Sequence, residues 1–582
     1  MDDETIDYEW LSGSLEDFGY GVEEDVKIIN KLKQLCTEFN KTSDSMLDDV
    51  MAALLNNKKK TLNYFIVEQL EQELEKKLKK TLGTPTAKPH VSRITQIGKS
   101  PAPVKRKLDD LNALVASPAV DGDFEKRKDV GKIVSSLKGK LFQSSGKAAK
   151  ISIGLVTEPV PQFYASDKPA YVINAKSERM TKMANIFKEQ YPEITEWHNA
   201  AIISPESVFV YGEVVNDIWE GQPFGEGNPA TLLVDDENGS LVKLDLTNIK
   251  DFCLFSGMII AMQGVNENGE TFVASKLFQL QSPALPKIQP ENLVDSGNLH
   301  IMVACGPFTS NVNCSYSHLQ MFLDLVKEQK PNIVILMGPF VDRRNKSLTE
   351  KDKNTVAITY ETQHEAVLLM IARALEGTST HVILQPNAQR DACLVPEFPC
   401  SPLQVPGEIS RILGEVAFVI SRNFYYYFFN FQRLHLISDP AIISVNGIQI
   451  GMVGPDILAH LSKSTWLVQD ESDSQPSMDR ITRLAASLLS QRLLYPLCPP
   501  HIPASLCNIS SNTSFSVSPH LIILPSMLIA CLKPIPSASL AINPSSLCRG
   551  ASGSYLNCKI SPGLMKENTN VADCGQFEIV KI

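Results

Sequence analysis

Four stretches in the C-terminal half decide the fold: HIMVACGPF at His300–Phe308, NIVILMGPFVD at Asn332–Asp342, HVILQPNAQRD at His381–Asp391 and HLIILPSML at His520–Leu528. Each begins with a short apolar run rich in Ile, Val and Leu and closes on Gly, Pro, Asn or Ser. A run apolar at successive positions predicts a strand covered on both faces, because alternate side chains point to opposite sides of a sheet. AIISVN at Ala441–Asn446 and IQIGMVG at Ile448–Gly454 read the same way. Between the first three runs lie SHLQMFLDLVKEQ (Ser317–Gln329) and EAVLLMIARALEG (Glu365–Gly377), whose apolar residues recur at helical spacing. The alternation predicts an α/β layered domain over residues 298–582 whose strands open onto loops, where such folds place their ligand sites.

Those strand-end loops read ACGPF (Ala304–Phe308), MGPFVD (Met337–Asp342), PNAQRD (Pro386–Asp391) and LPSML (Leu524–Leu528). In order and placement they resemble the loops of the calcineurin-like metallophosphoesterases, which carry DxH, GDxxD, GNH[DE] and GHxH. That chemistry needs carboxylates and imidazoles, since two metal ions a few ångströms apart must activate water and clamp a phosphate. The resemblance puts Cys305 and Pro307 at the ligand positions of the first motif and Pro339 at the first Asp of the second. It puts Gln389 and Arg390 at the Asn and His of the third, and Ser526 and Leu528 at the two His of the fourth. Only Asp342 and Asp391 keep carboxylates, too few for a dinuclear centre, so the expectation is an inactive phosphoesterase-like domain with no catalytic residue, metal or cofactor. Both survivors also have a purely structural reading, because an Asp after a strand caps a helix or a turn. Arg390 has Asp391 or a partner's carboxylate as its counter-ion, and the sequence does not choose.

Upstream the periodicity shortens. After a helical stretch, SERMTKMANIFKEQY (Ser177–Tyr191), come SVFVYGEVVND (Ser207–Asp217), ATLLVDDENGSLVKLDLTN (Ala230–Asn248) and FCLFSGMIIAMQGVNENGETFVASKLF (Phe252–Phe278). β-Branched and aromatic runs joined by Asn238-Gly239 and Asn268-Gly269 predict hairpins, and five short strands fit an OB-fold β-barrel, here expected with its preceding helix over 151–290. Asp235, Asp236, Glu237, Asp245 and Asp251 crowd this stretch. Single-strand binding wants a basic groove with exposed aromatics, so a structural or protein-binding barrel is expected instead.

Residues 1–82 show a third pattern. Val26, Ile28, Ile29, Leu32 and Leu35 recur at spacings of three and four, and MLDDVMAALL and LNYFIVEQLEQELEKKL continue it, predicting an N-terminal helical bundle that acts as a protein-interaction module. Residues 83–150 are rich in Pro, Ser, Lys and Ala, with fourteen Lys or Arg against six Asp or Glu, and are expected to form a flexible, disordered basic linker. Within it Ser100-Pro101 precedes Lys105, Arg106 and Lys107, a pattern that fits both a nuclear-import signal beside a proline-directed phosphosite and a plain solvated charge run.

Bulk properties narrow the class further. The 582 residues carry a net charge of −10, so with the 83–150 stretch at about +8 the remainder is clearly acidic, which argues against dominant phosphate binding. The twelve cysteines form no CxxC pair, which favours buried free thiols over disulfides or zinc. No apolar run is long enough to cross a bilayer, and no membrane role is expected.

The order helical module, basic linker, barrel and degenerate phosphoesterase-like domain resembles the B subunits of the eukaryotic replicative polymerases. HIMVACGPFTS, PNIVILMGPFVD, LISDPAIISVNGIQIGMVGPDILAHL, QRLLYPLCPP and the N-terminal LEDFGYGVEEDVKIINKLKQLCTEF resemble the alpha-primase branch in particular. The resemblance implies a non-catalytic scaffold and regulatory subunit in the nucleus. Its partners would be the C-terminal domain of the polymerase alpha catalytic subunit and, within the complex, the primase subunits, with DNA met mainly through the complex during RNA–DNA primer synthesis. The competing readings are a metal-dependent phosphodiesterase or 3′–5′ exonuclease and a single-strand DNA-binding protein. VAFVISRNFYYYFFNFQ (Val416–Gln432) fits neither fold nor family: its codons can begin with GT, run pyrimidine-rich and end in TTTCAG, so it reads either as a translated intron or as an inserted apolar strand or interface.

Overall fold

A computed structural model describes residues 11–12, 15, 21–22, 26–38, 46, 50, 54, 61–64, 66–67, 70–71, 124, 127–143, 150–157, 160, 164–216, 224, 230–288, 297–311, 313–349, 359–412, 433–469, 478–565 and 569–582. The chain divides into two compact units, Met1–Pro103 and Val104–Ile582. Ser100, Lys105, Arg106, Lys107 and the aromatic segment 416–432 lie outside the described residues.

In the first unit the helix Val26–Glu38 buries Ile28, Ile29, Leu32 and Leu35 on one stripe. Met46, Val50 and Leu54, four residues apart, join them in one core with Leu62, Ile66, Val67 and Leu70. That spacing returns side chains to one helical face, which is why the apolar pattern was readable. Gly21–Val22 pairs in parallel with Thr61–Leu62.

The second unit contains a seven-stranded and a six-stranded sheet. The first runs Leu434–Leu436, His381–Gln385, Ile333–Met337, Leu299–Cys305, Ser554–Ile560, Gly575–Lys581 and Ile133–Lys138; its first four strands are parallel to one another. The second runs Cys531–Pro534, Leu540–Asn543, Leu521–Ile523, Ile448–Met452, Ala441–Val445 and Ile153–Leu155. Alternation explains their stacking. Leu299, Ile301, Val303 and Cys305 point into a core shared with Ile443, Ile450, Ile523 and Ile542 of the other sheet. Met302 and Ala304 face the other way, onto Phe322 and Ile371 of the helices Ser317–Gln329 and Tyr360–Leu375. Ile442, Ile522 and Ala541 back onto the helices Ile457–Ser464 and Arg480–Ser490. The result is helices, sheet, sheet, helices, with Leu299–Cys305, Ile333–Met337, His381–Gln385 and Leu521–Ile523 covered on both faces.

The barrel is closed by Thr271–Phe278, Leu241–Asp245, Thr231–Leu233, Ser204–Val215 and Ile259–Asn266. Both expected hairpins are present, with Gly239 at φ +62° and Gly269 at φ +79°, backbone geometry that glycine adopts without Cβ strain. The helix Pro169–Gln190 lays Met180, Met183, Ile186 and Phe187 against Ile259, Ala261 and Phe278. Asp235 holds that helix by accepting from Ser177, Thr181 and Tyr211, so this carboxylate serves docking.

Barrel and sandwich are joined by strand pairing: Phe252–Leu254 pairs with Trp466–Val468. Gln491 reinforces the joint, its amide donating to Ile259 O at 3.0 Å and accepting from Ile259 N at 2.9 Å, as a neighbouring strand would.

Two expected boundaries are corrected. Ile133–Lys138, inside the expected linker, is the edge strand of the seven-stranded sheet. Ile153–Leu155, expected with the barrel, pairs with Ala441–Val445 in the six-stranded sheet. Both are short edge strands with no fully buried residue, and so leave a weak sequence signal. All twelve cysteines are free thiols.

Candidate functional site

The ends of the parallel strands converge on a cleft of about 660 Å³. Of the residues singled out by sequence, Pro307, Gln389, Arg390 and Ser526 line it, while Cys305, Pro339, Asp342, Asp391 and Leu528 sit behind its wall. Cys305 is the last residue of its strand and falls on the inter-sheet face, where it contacts Met337 Sδ at 3.7 Å and burial pushes its thiol far up. Leu528 points into the core beneath the six-stranded sheet. Ser526 Oγ accepts from Leu528 N at 3.1 Å, and Asn543 Oδ1 takes the Ser526 N–H at 2.9 Å, fixing that loop.

The two surviving carboxylates are occupied by the protein itself. Asp391 Oδ1 accepts from Phe340 N at 2.5 Å and Val341 N at 3.3 Å, and its Oδ2 accepts from Asn387 N at 2.7 Å. Burial pushes this carboxyl up to about 7 despite the three N–H donors that oppose the shift. Asp342 caps its own turn by accepting from Arg344 N at 3.1 Å and is otherwise covered by the guanidinium of Arg390. The counter-ion of Arg390 is therefore Asp342, neither of the two alternatives left open by sequence. Asp342 and Asp391 also form a β-bridge that zips the second loop to the third.

A third carboxylate was missed. Asp439, in ISDP, accepts from Ala388 N at 2.9 Å and Gly454 N at 2.7 Å, tying the third loop to the turn after Ile448–Met452; burial pushes it up to about 7 as well. Such contacts require bare backbone: a Cβ on Gly338 would stand 2.2 Å from Asp391 Oδ2, and one on Gly454 2.4 Å from Asp439 Oδ2. A Ser-Asp-Pro after a strand is an ordinary turn signal, so nothing in the sequence set Asp439 apart.

Also missed were the cations. Arg344, Lys463 and Arg549 line the cleft with Arg390, facing one carboxylate among the described residues, Asp456. Both oxygens of Asp456 are engaged, accepting from Ala459 N at 2.9 Å and Met527 N at 2.7 Å. His460 shares a hydrogen bond of 3.0 Å with Tyr495 OH, and burial, aided by His501, Lys463 and Arg344, pushes it down to about 4, so it is neutral at pH 7. The donor set does not fit a dinuclear metal centre: among the described residues no group of three or more His, Cys, Asp or Glu is placed to hold a metal ion. The wall is cationic where such a centre would need carboxylates.

The second unit is thus a layered α/β domain of two paired sheets with a closed barrel strapped to it, and the comparisons with known proteins give its family. The family model for the B subunit of DNA polymerases alpha and epsilon matches residues 301–530. The model for the OB domain of the DNA polymerase alpha B subunit matches residues 173–280, and that for the N-terminal region of the same B subunit residues 9–77. The DNA polymerase alpha B subunit of Caenorhabditis elegans is 32% identical, over 99% of this chain and 99% of its own length. Those of Mus musculus and Saccharomyces cerevisiae are each 23% identical, over 94% of both chains and over 64% of this chain and 54% of the yeast protein. This chain belongs to the family of DNA polymerase alpha B subunits, and is an accessory subunit of the polymerase alpha complex. No helix among the described residues is long and apolar enough to cross a membrane.

Proposed function

We propose that the second unit is a rigid platform on which the C-terminal domain of the polymerase alpha catalytic subunit docks, in a nuclear complex with the primase subunits that makes RNA–DNA primers. The sandwich is a calcineurin-like phosphoesterase domain retained for its shape, and it does not hydrolyse phosphodiesters. The observation that carries this reading is the use of its carboxylates: Asp391 and Asp439 are spent on backbone N–H groups and Asp342 on Arg390. Two-metal hydrolysis needs those oxygens for cations. Residues 1–82, within the first unit, are a separately tethered helical interaction module, and DNA reaches this subunit mainly through its partners. Ser100 is a phosphosite, and Lys105, Arg106 and Lys107 direct nuclear import.

Co-elution tests the platform: the chain lacking residues 1–82 binds the catalytic subunit's C-terminal domain as tightly as the full chain, in moderate salt, because buried apolar contact is screened little. Loss of co-elution on that deletion, with the isolated first 82 residues binding instead, would overturn it. With manganese, the purified protein should not cleave a DNA 3′ end above background; cleavage abolished by Asp342→Ala would refute the non-catalytic reading. Alanine at Lys105, Arg106 and Lys107 should abolish nuclear entry of a reporter fused to residues 83–150.

A further inference from the structure

We propose that the cleft at the strand ends is an anion-binding site, in which Arg344, Arg390, Lys463 and Arg549 receive an acidic or phosphorylated peptide segment of a partner. Four cations, three from loops and Lys463 from the last turn of the helix Ile457–Ser464, line one cavity against a single carboxylate among the described residues, whose oxygens are already engaged. Arg344 and Lys463 are exposed and form no ion pair with any described residue, so their charge is available to a ligand. Arg390 is preorganised: Asp342 holds Nε and Nη2, leaving its other amino group toward the cleft it lines. Arg549 is positioned by donating Nη1 to Met527 O at 2.9 Å. Fixed guanidinium groups bind carboxylate and phosphate oxygens in pairs, and here two of them line the cleft at the strand ends.

The lining decides the carrier. Among the described residues it contains no Phe, Tyr or Trp on which a base could stack. Beside the cations, Met527 is 52% exposed and Ile529 40%, apolar surface suited to the side chains flanking an acidic residue in a polypeptide. A peptide meets both features; a nucleic acid strand meets only one.

The test uses the full chain and fluorescence polarisation of three labelled probes: a glutamate-rich peptide, the same peptide carrying phosphoserine, and oligothymidylate. Inorganic phosphate serves as competitor. At least one peptide should bind, weaken with salt, and lose about tenfold or more in affinity in the Arg344→Glu, Lys463→Glu double variant. Lys276→Glu, on the barrel surface, should change nothing. Comparison of the two peptides tells whether carboxylate or phosphate is preferred. Arg344→Ala and Lys463→Ala, removing charge from exposed side chains, guard against misfolding and should each weaken binding in part. Absence of peptide binding, equal loss in Lys276→Glu, or tighter binding of oligothymidylate that depends on the same residues would overturn the proposal.

Discussion

Arg390 lies across Asp342, its Nε 3.3 Å from Oδ1 and its Nη2 on Oδ2, with the carboxylate 2% exposed and the guanidinium partly open to the cleft. The two residues are far apart in sequence, so the pair locks the second loop to the third. Removing the guanidinium strands a buried negative charge, whereas removing the carboxylate leaves a cation that water can reach. Arg390→Ala should therefore cost about 2–4 kcal/mol, less than a fully buried pair because Arg390 is partly solvated, and Asp342→Ala distinctly less. Thermal unfolding of both single variants and the double variant measures the coupling; equal losses in the two singles would contradict the asymmetry.

Gly454 and Asp439 set a second test. The carboxylate occupies the space a side chain at 454 would need and cannot retreat, since Ala388 N and Gly454 N hold it from both sides. Gly454→Ala should destabilise by about 2–4 kcal/mol through overpacking and lost hydrogen bonds. Gly407→Ala, where an added Cβ meets nothing within 4 Å, is the matched control and should be close to neutral.

Ile133–Lys138 bears on where the second unit can be cut. Its pairing with Gly575–Lys581 is extended by Gly131 N to Lys581 O at 2.9 Å and Leu141 N to Asp573 O at 2.9 Å, and Arg127 Nε reaches Ile582 O at 2.8 Å. A fragment beginning at Ile151 uncovers the whole length of Gly575–Lys581 as a new sheet edge, a template for intermolecular pairing. Residues 124–582 should remain monomeric at concentrations where 151–582 self-associates, as light scattering would show. Identical behaviour of the two fragments would mean the strand adds nothing.

What the sequence made legible follows from burial. Runs such as NIVILMG must be apolar on both faces to sit between a helix layer and a second sheet, and SHLQMFLDLVKEQ shows its buried stripe because only one face is covered. Ile133–Lys138 needs little burial at a sheet edge and disappeared into its Lys- and Ser-rich surroundings. The resemblance to metal-binding motifs could be drawn from the sequence because it compares residue types at fixed places. The cations of the cleft were not legible: Arg344 and Arg549 come from loops and Lys463 from the helix Ile457–Ser464, all far apart in sequence, and only the folded sandwich brings them to one cleft. Likewise Asp439 acquires its role through two backbone N–H groups that no spacing encodes.

The buried carboxylates and histidines give opposite pH dependences. Asp391 and Asp439 are pushed up to about 7 by burial, against about 3.9 in an unfolded chain, so between those values the folded state holds protons the unfolded state has released. The stability they contribute is complete below about pH 4 and is lost as pH rises to about 7. His318, His460 and His520 are pushed down to about 4 by burial, against about 6.5 unfolded; their contribution is complete above about pH 6.5 and is lost as pH falls toward 4. In the wild type the two trends offset each other. Asp391→Asn removes part of the falling one, so although the variant is less stable throughout, its stability should climb more steeply with pH between 4.5 and 7, by up to about 1.4 kcal/mol per pH unit. His520→Asn, which replaces an imidazole that accepts from Gln449 N at 3.0 Å, should tilt the profile the other way. Thermal midpoints recorded at half-unit steps of pH separate slope from height; parallel profiles for wild type and Asp391→Asn would show that this carboxyl titrates normally in the folded protein.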